Sequence, residues 1–434
     1  MKLQIKRFGK IHTTDVEWNG LTVIAGENDT GKSTVGKLFY AILKTFAKYD
    51  DTYSRVVGSE LFITLLRLLS DILRGENRKI LHRYKKLFVD TESLFVRLNE
   101  LFTPAFVANN LFKIDDPLKD TIRSTVNALK NVEFVSDSIR TNLEKISDAL
   151  EVNVSAEDKF KKSFQFYMKD SFLRNYNNSL NTKEIAEFEY FLEDVSNLFV
   201  KIKANNIHIE RVDLNKKYPF FKDITLIDFP EILDERFQNL HESNFNWTDD
   251  LLGKTKLLKT KRDSQVGNFI GDDFWREVLS GSSIYLDKET NSFKYKVSSN
   301  ALPLNIINIA SGTKSFGILY LLIKFGIINE DTPIVLDEPE NHLHPEWQIA
   351  YAKFLTFLVR KGFRILLTSH SPTFIQALLK EAIQEDKWEK MYKFYLAEPL
   401  KEAENFTTIR DVTSSPDDIF KNLVRPVEKM WSED

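Results

Sequence analysis

The stretch that decides the fold is GENDTGKST, Gly26–Thr34, which fits the phosphate-loop pattern G-x-x-x-x-G-K-[ST]. It follows the apolar run LTVIAG, which is typical of a buried strand that ends at a glycine, and from Lys32 onward apolar residues recur at helical spacing. Strand, glycine turn and helix therefore succeed one another without a gap. In this setting the N–H groups of the loop and of the helix N-terminus point at the phosphates of a nucleotide.

Side chains of this loop have predicted roles in binding ATP and Mg²⁺. Lys32 is expected to neutralise the β and γ phosphates, and the Ser33 hydroxyl to complete the Mg²⁺ shell. Asp29 stands where many such loops carry glycine; Asp tolerates left-handed backbone angles, and its carboxylate should point away from the phosphates. The predicted nucleotide-binding residues of the loop are Gly26, Asn28, Thr30, Gly31, Lys32, Ser33 and Thr34. A chance glycine turn is the alternative, and it leaves the complete match in this context unexplained.

The run PIVLDE is an apolar strand that ends in two acids. Asp337 is expected to hold Mg²⁺ through water, and Glu338 to polarise the attacking water as a general base. A strand that ends in these two acids is common by itself. Together with the phosphate loop it indicates hydrolysis of the nucleotide and not binding alone.

Two further motifs define the subclass. ASGTKSFG (Ala310–Gly317) places Ser311 and Gly312 at the start of a helix, and it resembles the signature motif of ABC-type ATPases, which binds the γ-phosphate held by a partner subunit. LLTSHSP places His370 just past a strand end, and it resembles the switch histidine of these ATPases, which touches the γ-phosphate. Alone, a capped helix and a loop histidine would explain both. In this order and spacing the motifs support each other.

The combination of GENDTGKST, ASGTKSF, VLDEPENHLHPEWQ and LLTSHSP resembles the ABC-type ATPases of the SMC/RecF/OLD-like group. Within that group it is similar to the AAA-family ATPases of bacterial antiphage systems, such as the ATPase subunits of PARIS and, second, of Septu. The resemblance covers the first 50 residues and roughly 300–375. It implies ATP and Mg²⁺ as cofactors, catalytic roles for Lys32, Glu338 and His370, and a head-to-head dimer or higher homo-oligomer that sandwiches two ATP molecules.

The histidine-rich continuation, HLHP (His342–Pro345), occupies the place of the D-loop, which in such ATPases reaches across the dimer. Glu340, just before it, is interpreted as carrying the chain off the strand end. A zinc site on His342 and His344 is the alternative, but no third and fourth ligands are evident and the spacing is not that of a helical pair. The region equivalent to the Q-loop is best matched by DITLIDFPEIL, with Asp228 as the candidate residue.

The chain divides into three predicted segments. Residues 1–50 contain the strand-like runs KLQIKRF, TTDVEW and LTVIAG, and they form the first lobe of an ATPase head. Residues 51–222 show apolar spacings of three and four in LFITLLRLLSDIL, SLFVRLNELF, NALKNVEFVSDSI and AEFEYFLEDVSNLF, which predicts an all-helical insertion. Residues 223–434 return to strands that alternate with helices. The predicted fold class is α/β, a P-loop ATPase head with a mixed, largely parallel sheet.

The second lobe, residues 223–434, has several predicted elements of its own. DITLIDF is a strand candidate, and SSIYLDKETNSFKYKV reads as a hairpin with its turn at Lys288–Asn291. A helix over Thr313–Phe325 precedes the strand TPIVLDEPE, the helix HPEWQIAYAKFLTFLVRKG and the strand FRILLTSHS. Strand-like YKFYLA and FTTIRDV follow, with a short helix around Pro416–Met430.

Composition excludes several classes of protein. The 434 residues are 42% hydrophobic, enough for two or three domains, and the absence of cysteine excludes disulfides, thiolate metal sites and Cys nucleophiles and fits a cytoplasmic protein. The net charge of −3 gives no global preference for nucleic acid. We interpret the basic runs RGENRKILHRYKK and KTKLLKTKR as solvated faces, with contact to a phosphate backbone as the alternative for each. No apolar run reaches the ~20 residues of a spanning helix, and the N-terminus lacks a signal peptide. We therefore expect a soluble protein without membrane contact.

Three functional hypotheses follow. In the first, ATP drives engagement of two heads and so controls a separate effector. Only 64 residues follow His370, which is too few for the Toprim nuclease domain of OLD-type nucleases. A Toprim- or HNH-type nuclease is therefore expected on another protein. The second is a RecF/SMC-like DNA-binding ATPase in DNA repair; binding of nucleic acid is compatible with the first hypothesis but not required by it. The third is a scaffold that uses ATP as structural glue. A transporter ATPase is disfavoured by the helical insertion.

Overall fold

The chain forms two compact units. The computed structural model describes residues 1–74, 78–79, 82–101, 116–131, 139, 141–144, 146, 154–172, 184–193, 195–214, 221–228, 247–260, 283–287, 289–290, 292–298, 300–309, 311–400 and 403–432. One unit, the head, comprises Met1–Ala47, Tyr167–Leu240 and Asn244–Asp434. The other, the helical unit, comprises Lys48–Phe166 with His241–Ser243.

The head opens with three strands and a helix, as the sequence predicts. They are β1 (Lys2–Phe8), β2 (Ile11–Glu17), β3 (Leu21–Gly26) and α1 (Lys32–Leu73). All six residues of β3 are buried, which is expected of a strand with neighbours on both edges and packed faces. Helix α1 has non-helical backbone angles at Lys48, the residue at which the helical unit begins.

Further strands and helices follow along the described part of the chain. The strands are β4 (Ala186–Leu192), β5 (Val195–Lys203), β6 (Asn206–Val212), β7 (Thr225–Ile227), β8 (Ser283–Asp287), β9 (Ser292–Lys296), β10 (Leu304–Asn305), β11 (Ile334–Asp337), β12 (Ile365–Ser369), β13 (Tyr392–Leu400) and β14 (Ala403–Asp411). The helices are α2 (Lys85–Leu101), α3 (Asp116–Lys130), α4 (Ala156–Phe172), α5 (Trp247–Thr260), α6 (Ser311–Lys324), α7 (Pro345–Arg360), α8 (Pro372–Ala382) and α9 (Asp417–Ser432). Two single 3₁₀ turns lie at Ile306–Asn308 and Trp388–Lys390.

A mixed sheet of eleven strands organises the head, in the order β6-β5-β4-β1-β2-β14-β13-β3-β12-β11-β7. The five consecutive strands from β13 to β7 in this order run parallel to one another, whereas β13 pairs antiparallel with β14. Strands β4, β5 and β6 also pair antiparallel. This α/β sheet confirms the predicted fold class. Because the parallel strands share a direction, their carboxyl ends meet at one edge, which is where such sheets place ligands.

Helices α6, α7 and α8 contribute to the large apolar core of the head together with β3, β11 and β12. Aromatic rings join the first two of these helices: the ring centroids of Phe316 and Tyr351 are 4.2 Å apart, and those of Phe316 and Phe354 are 5.6 Å apart. Buried aromatic pairs of this kind add to the stabilisation from burial alone. Helix α6, which begins with the signature-like residues, is thereby fixed to α7, which follows the acidic strand β11.

The helical unit has an apolar core of its own. Its buried residues include Leu65, Leu68, Leu69, Phe88, Leu94, Ile122, Val126 and Leu129. The run LFITLLRLLSDIL is helical, in α1, as predicted. The described part of SLFVRLNELF, up to Leu101, is helical in α2, and residue 102 lies outside the described residues. Of NALKNVEFVSDSI, the first four residues lie in α3, and residues 132–138 lie outside the described residues.

The prediction of a helix over AEFEYFLEDVSNLF is wrong, because this segment forms β4 and the start of β5. The apolar residues Ala186, Phe188 and Tyr190 alternate with glutamates, so that they share one face of a strand. Pairing with β1 on one side and β5 on the other stabilises the extended backbone. The segment 51–222 is therefore not all-helical, since it contributes β4, β5 and β6 to the sheet of the head.

The strand and helix predictions for residues 223–434 are confirmed. The strand-like runs DITLIDF, TPIVLDEPE and FRILLTSHS contain β7, β11 and β12, and YKFYLA and FTTIRDV lie largely within β13 and β14. The hairpin prediction matches the antiparallel pair β8 and β9. The predicted turn residues Lys288 and Asn291 lie outside the described residues. No helix in the described part of the chain has the length and apolar character needed to cross a membrane.

The interpretation of KTKLLKTKR as a solvated face is wrong at Lys254, which is buried. Its ammonium lies 2.8 Å from Asp250 Oδ2 and 3.0 Å from Asp223 Oδ2, and both carboxylates also pair with the buried Lys44 of α1. Burial alone would raise the pKa of Asp223, but the two ammonium groups hold that pKa well below its usual range. Two positive and two negative charges neutralise one another here, which joins α1 to α5 and to Asp223, two residues before β7.

Candidate active site

The phosphate-loop sequence forms a tight turn between β3 and α1. Three of its residues have positive φ: Gly26 at 154°, Asp29 at 63° and Gly31 at 79°. A Cβ atom on Gly26 would lie 2.4 Å from the carbonyl oxygen of Ala397 in β13, so a side chain at this position would collide with backbone. Inside the turn, the Thr30 hydroxyl donates a 2.7 Å hydrogen bond to the carbonyl of Glu27.

Asp29 explains how this loop functions without the more familiar glycine. Its left-handed backbone is one that Asp adopts more readily than most residues. The carboxylate forms an ion pair with the ammonium of Lys10, from the turn between β1 and β2, and the side chain is 79% exposed. The carboxylate is thus directed to Lys10 and to solvent.

Lys32, the first residue of α1, is buried beneath this loop. Its ammonium donates a 2.6 Å hydrogen bond to the carbonyl of Glu27 and lies 3.9 Å from Glu338 Oε1. Burial lowers the pKa of Lys32, although the nearby carboxylates, Glu338 foremost, oppose this shift. The predicted phosphate-binding lysine is therefore held between the loop backbone and the predicted general base.

Ser33 and Asp337 provide oxygen ligands suited to Mg²⁺. The Ser33 hydroxyl donates a 2.8 Å hydrogen bond to Asp337 Oδ1, and the hydroxyl of Thr368 donates to the same oxygen. A hydroxyl and a carboxylate that face each other fit Mg²⁺, which prefers oxygen ligands and is bound by few protein groups together with phosphates. Thr368 was not predicted; its only signal in the sequence is a lone hydroxyl at the end of the apolar run that forms β12.

Glu338 has several partners that fix its carboxylate. Its backbone has a φ of 46°, and its N–H donates to the carbonyl and the hydroxyl oxygen of Thr368 at 3.2 and 3.1 Å. Asn341 donates a 3.1 Å hydrogen bond to Oε2, and His370 Nδ1 lies 3.2 Å from Oε1. Burial would raise the pKa of Glu338, but Asn341, His370 and Lys32 together lower it. These contacts favour the ionised carboxylate, which is the form that the predicted role of general base requires.

Glu340 does more than carry the chain away from the strand. It is only 2% exposed, and its Oε1 accepts hydrogen bonds from the Ser369 hydroxyl and from the backbone N–H of His370. Burial raises the pKa of its carboxyl. Sequence reasoning missed this contact because the two partners are separated by about thirty residues.

The signature-like residues Ser311 and Gly312 lie in the first turn of α6, two residues before the predicted helix start. One turn later, the Ser315 hydroxyl donates a 3.3 Å hydrogen bond to the carbonyl of Pro339, between Glu338 and Glu340. The helix is thereby joined to the loop that carries the general base. A role for Ser311 and Gly312 in binding a partner's nucleotide stays a prediction.

The two histidines of the D-loop-like stretch show no metal-site geometry. His342 is exposed with a φ of 62°, and the ring of His344 caps α7 by accepting a 3.4 Å hydrogen bond from the N–H of Glu346. Within the described residues no group of three or more His, Asp or Glu side chains could hold a metal ion. The alternative of a zinc site gains no support, and a role across a dimer interface stays a prediction.

Asp228, the Q-loop candidate, follows β7 directly. Ile227 pairs with Leu336 in the parallel ladder, so Asp228 lies next to Asp337 at the carboxyl edge.

Direct contacts at this same edge join several of the predicted site residues, namely Lys32, Ser33, Asp337, Glu338 and His370. The other predicted loop residues, Gly26, Asn28, Thr30, Gly31 and Thr34, form the turn and the first residues of α1 beside them.

Comparison with protein families gives one extensive match. Residues 21–376 match the family described as "AAA domain, putative AbiEii toxin, Type IV TA system". The chain belongs to this AAA family. The matched region begins at β3 and ends within α8, so it includes the phosphate loop, the acidic strand end and His370. No curated protein sequence matches the chain significantly.

Solved structures with similar folds include heads of SMC proteins. The SMC head domain from Thermotoga maritima has 11% identity and a TM-score of 0.40, covering 95% of this chain and 98% of that one. An SmcHead bound to the C-winged helix domain of ScpA has 10% identity and a TM-score of 0.41, with coverages of 96% and 98%. A Pyrococcus furiosus Smc head domain with an extended coiled coil has 10% identity, 98% coverage of both chains and a TM-score of 0.34. Similarity this low assigns no function.

Gly26→Ala tests the geometry of the loop. Because the new Cβ would collide with the backbone of Ala397, we expect a loss of about 1–3 kcal/mol in the free energy of unfolding and a clear loss of ATP binding. Gly253→Ala, inside α5 and in open space, is the matched control and should stabilise the protein by about 0.5–1 kcal/mol. For both variants, denaturant unfolding measures the stability and a fluorescent ATP analogue measures nucleotide binding. Equal stability of the two variants would contradict the close approach of β3 and β13.

Proposed function

We propose that this AAA-family protein binds ATP with Mg²⁺ and hydrolyses it to ADP and phosphate, with a turnover that need not be fast. The observation that carries this proposal is the Glu338 carboxylate, held within 4 Å of both Lys32 and His370 beside the Ser33–Asp337 pair. A phosphate-binding cation, a magnesium ligand pair and a general base are the groups that phosphoryl transfer to water requires. All of them lie at the carboxyl edge of the parallel strands.

Each of these residues has a defined task in the proposed reaction. The loop N–H groups and Lys32 bind the β and γ phosphates, while Ser33 and Asp337 hold Mg²⁺, which neutralises charge on the phosphate oxygens when bound. Glu338 accepts a proton from the attacking water, whose oxygen forms a bond to the γ-phosphorus as the bond to ADP breaks. His370, whose Nδ1 lies 3.2 Å from Glu338 Oε1, orients that carboxylate and contacts the γ-phosphate in the proposed reaction.

The finer role is that of a switch subunit in a bacterial antiphage defence system. Two heads would engage around ATP, with Ser311 and Gly312 of one copy binding the γ-phosphate held by Lys32 of the other. Their position in the first turn of α6 supports this, because helix N-termini bind anions. The engaged form would control a separate effector, a Toprim- or HNH-type nuclease. The family description, which names a toxin of a toxin–antitoxin system, is consistent with such an effector-linked role.

A RecF/SMC-like ATPase that binds duplex DNA in repair is the second candidate. The observation that favours it is the exposed basic run at the start of α2, where Arg83, Lys85 and Lys86 face solvent. Such residues suit contact with phosphate backbone. Stimulation of ATP hydrolysis by duplex DNA would favour this candidate over an effector switch.

Two substitutions separate binding from hydrolysis. Lys32→Ala removes the phosphate-binding ammonium, so we expect loss of both ATP binding and turnover. Glu338→Gln keeps the shape but removes the base, so ATP should bind while the rate falls by about 10²–10⁴-fold and an assembled form accumulates. Lys222→Ala, at an exposed ion pair of the head, is the control and should behave as wild type. Phosphate release, analogue binding and light scattering measure these effects; hydrolysis unchanged in Glu338→Gln would contradict the assignment.

The effector hypothesis predicts a partner encoded beside this gene. We expect the neighbouring gene to encode a Toprim- or HNH-type nuclease that co-purifies with Glu338→Gln in ATP but not with Lys32→Ala. The reason is that only the first variant holds the engaged, ATP-bound state. Pull-down with mass spectrometry and nuclease assays of the pair test this. A nuclease that binds both variants equally would contradict control by ATP.

A further inference from the structure

Glu340 is a buried acid that the proposed reaction does not use. It lies two residues after the general base, and only 2% of its surface is exposed. Its Oε2 forms no hydrogen bond with another residue of the described part of the chain. A buried carboxyl with an unsatisfied oxygen is destabilising, so its presence here calls for a reason other than stability.

The other oxygen of Glu340 holds the turn that carries His370. Oε1 accepts from the Ser369 hydroxyl and, at 3.2 Å, from the backbone N–H of His370. The Ser369 hydroxyl in turn accepts a 3.1 Å hydrogen bond from the N–H of Ser371. Three consecutive residues at the end of β12 are thus tied to one carboxylate.

A second residue, Gln348 of α7, also holds the turn that carries His370. The Ser371 hydroxyl donates a 2.7 Å hydrogen bond to Oε1 of Gln348 in α7 and also caps α8 by accepting from the N–H of Phe374. Glu340 and Gln348 therefore hold the backbone on both sides of His370. Among the described residues, the imidazole contacts the carboxylate of Glu338. Because 38% of the His370 side chain is exposed, its position depends on this backbone.

We propose that Glu340 is a positioning residue for ATP hydrolysis: it fixes the backbone of His370 so that the imidazole meets the carboxylate of Glu338. This inference rests on the proposed ATPase function. Glu340 acts through Ser369 and the backbone of His370, to which it is hydrogen-bonded. Ser315 of α6 contacts the carbonyl of Pro339, and Glu340 contacts the end of β12. The loop that contains Glu338 and Glu340 is therefore held on one side by α6 and on the other by β12.

Kinetics of three variants test the role of Glu340. Glu340→Ala removes the acceptor, so we expect kcat to fall by about 10–100-fold, as for other residues that orient a catalytic group, while the Kd of a non-hydrolysable ATP analogue changes by less than about threefold. Glu340→Gln retains an acceptor oxygen and should keep most of the wild-type kcat. Thr356→Ala removes a buried hydroxyl hydrogen bond within α7, away from this turn, and is the control for stability alone.

A double-mutant cycle with His370→Ala gives the decisive readout. If Glu340 acts through His370, Glu340→Ala should reduce kcat little further once the imidazole is gone. Ser369→Ala, a milder change that removes one of the two hydrogen bonds to Glu340, provides the same cycle should Glu340→Ala fail to fold. Multiplicative effects in the cycle, wild-type kcat in Glu340→Ala, or a Glu340→Gln variant as slow as Glu340→Ala would each overturn the inference. Absence of hydrolysis in the wild type would instead refute the ATPase function itself, and this inference with it.

Discussion

The hydrogen bond from the Ser33 hydroxyl to Asp337 Oδ1 is the contact on which the rest of the site depends. It joins the first turn of α1 to the end of β11, two points 304 residues apart in the chain. It can form only because β3 and β11 both flank β12 in the same direction, so that their carboxyl ends lie at one edge. The fold thus brings the phosphate loop and the acidic strand end together before any nucleotide binds.

Backbone with positive φ angles occurs at this edge, as it does in several turns elsewhere in the described chain. Here the residues are Gly26, Asp29, Gly31 and Glu338, and for Glu338 and Asp29 that conformation is unfavourable. The surrounding contacts stabilise it: Lys10 pairs with Asp29, and Thr368 and Asn341 hold Glu338. Strain that is retained where a phosphate and a general base must meet is typical of functional sites, because it fixes geometry in advance of the reaction.

The sequence predicted what depends on local pattern and missed what depends on long-range contacts. Gly26–Thr34, Asp337 and His370 were identifiable because each lies at a strand end within a recognisable motif. Glu340, Asn341 and Thr368 were not, since their roles follow from side-chain directions that only the assembled sheet sets. The apolar residues of the segment that forms β4 are compatible with the spacing of a helix and with that of a strand. Pairing with β1 makes this segment a strand. Lys254 was misread because its burial follows from long-range packing: Asp250 lies one helical turn away in α5, but Asp223 becomes a neighbour only when β7 packs against that helix.

The central claim is that Ser33 and Asp337 hold a divalent cation against the phosphates of ATP. Electron paramagnetic resonance of Mn²⁺, used in place of Mg²⁺, tests this most directly. With a non-hydrolysable ATP analogue, we expect one Mn²⁺ per chain, with coupling to phosphorus nuclei, and weaker binding of the ion in Ser33→Ala and Asp337→Ala. Mn²⁺ that binds without phosphorus coupling, or that binds as well in the two variants as in the wild type, would contradict a cation site formed by Ser33 and Asp337 beside the phosphates.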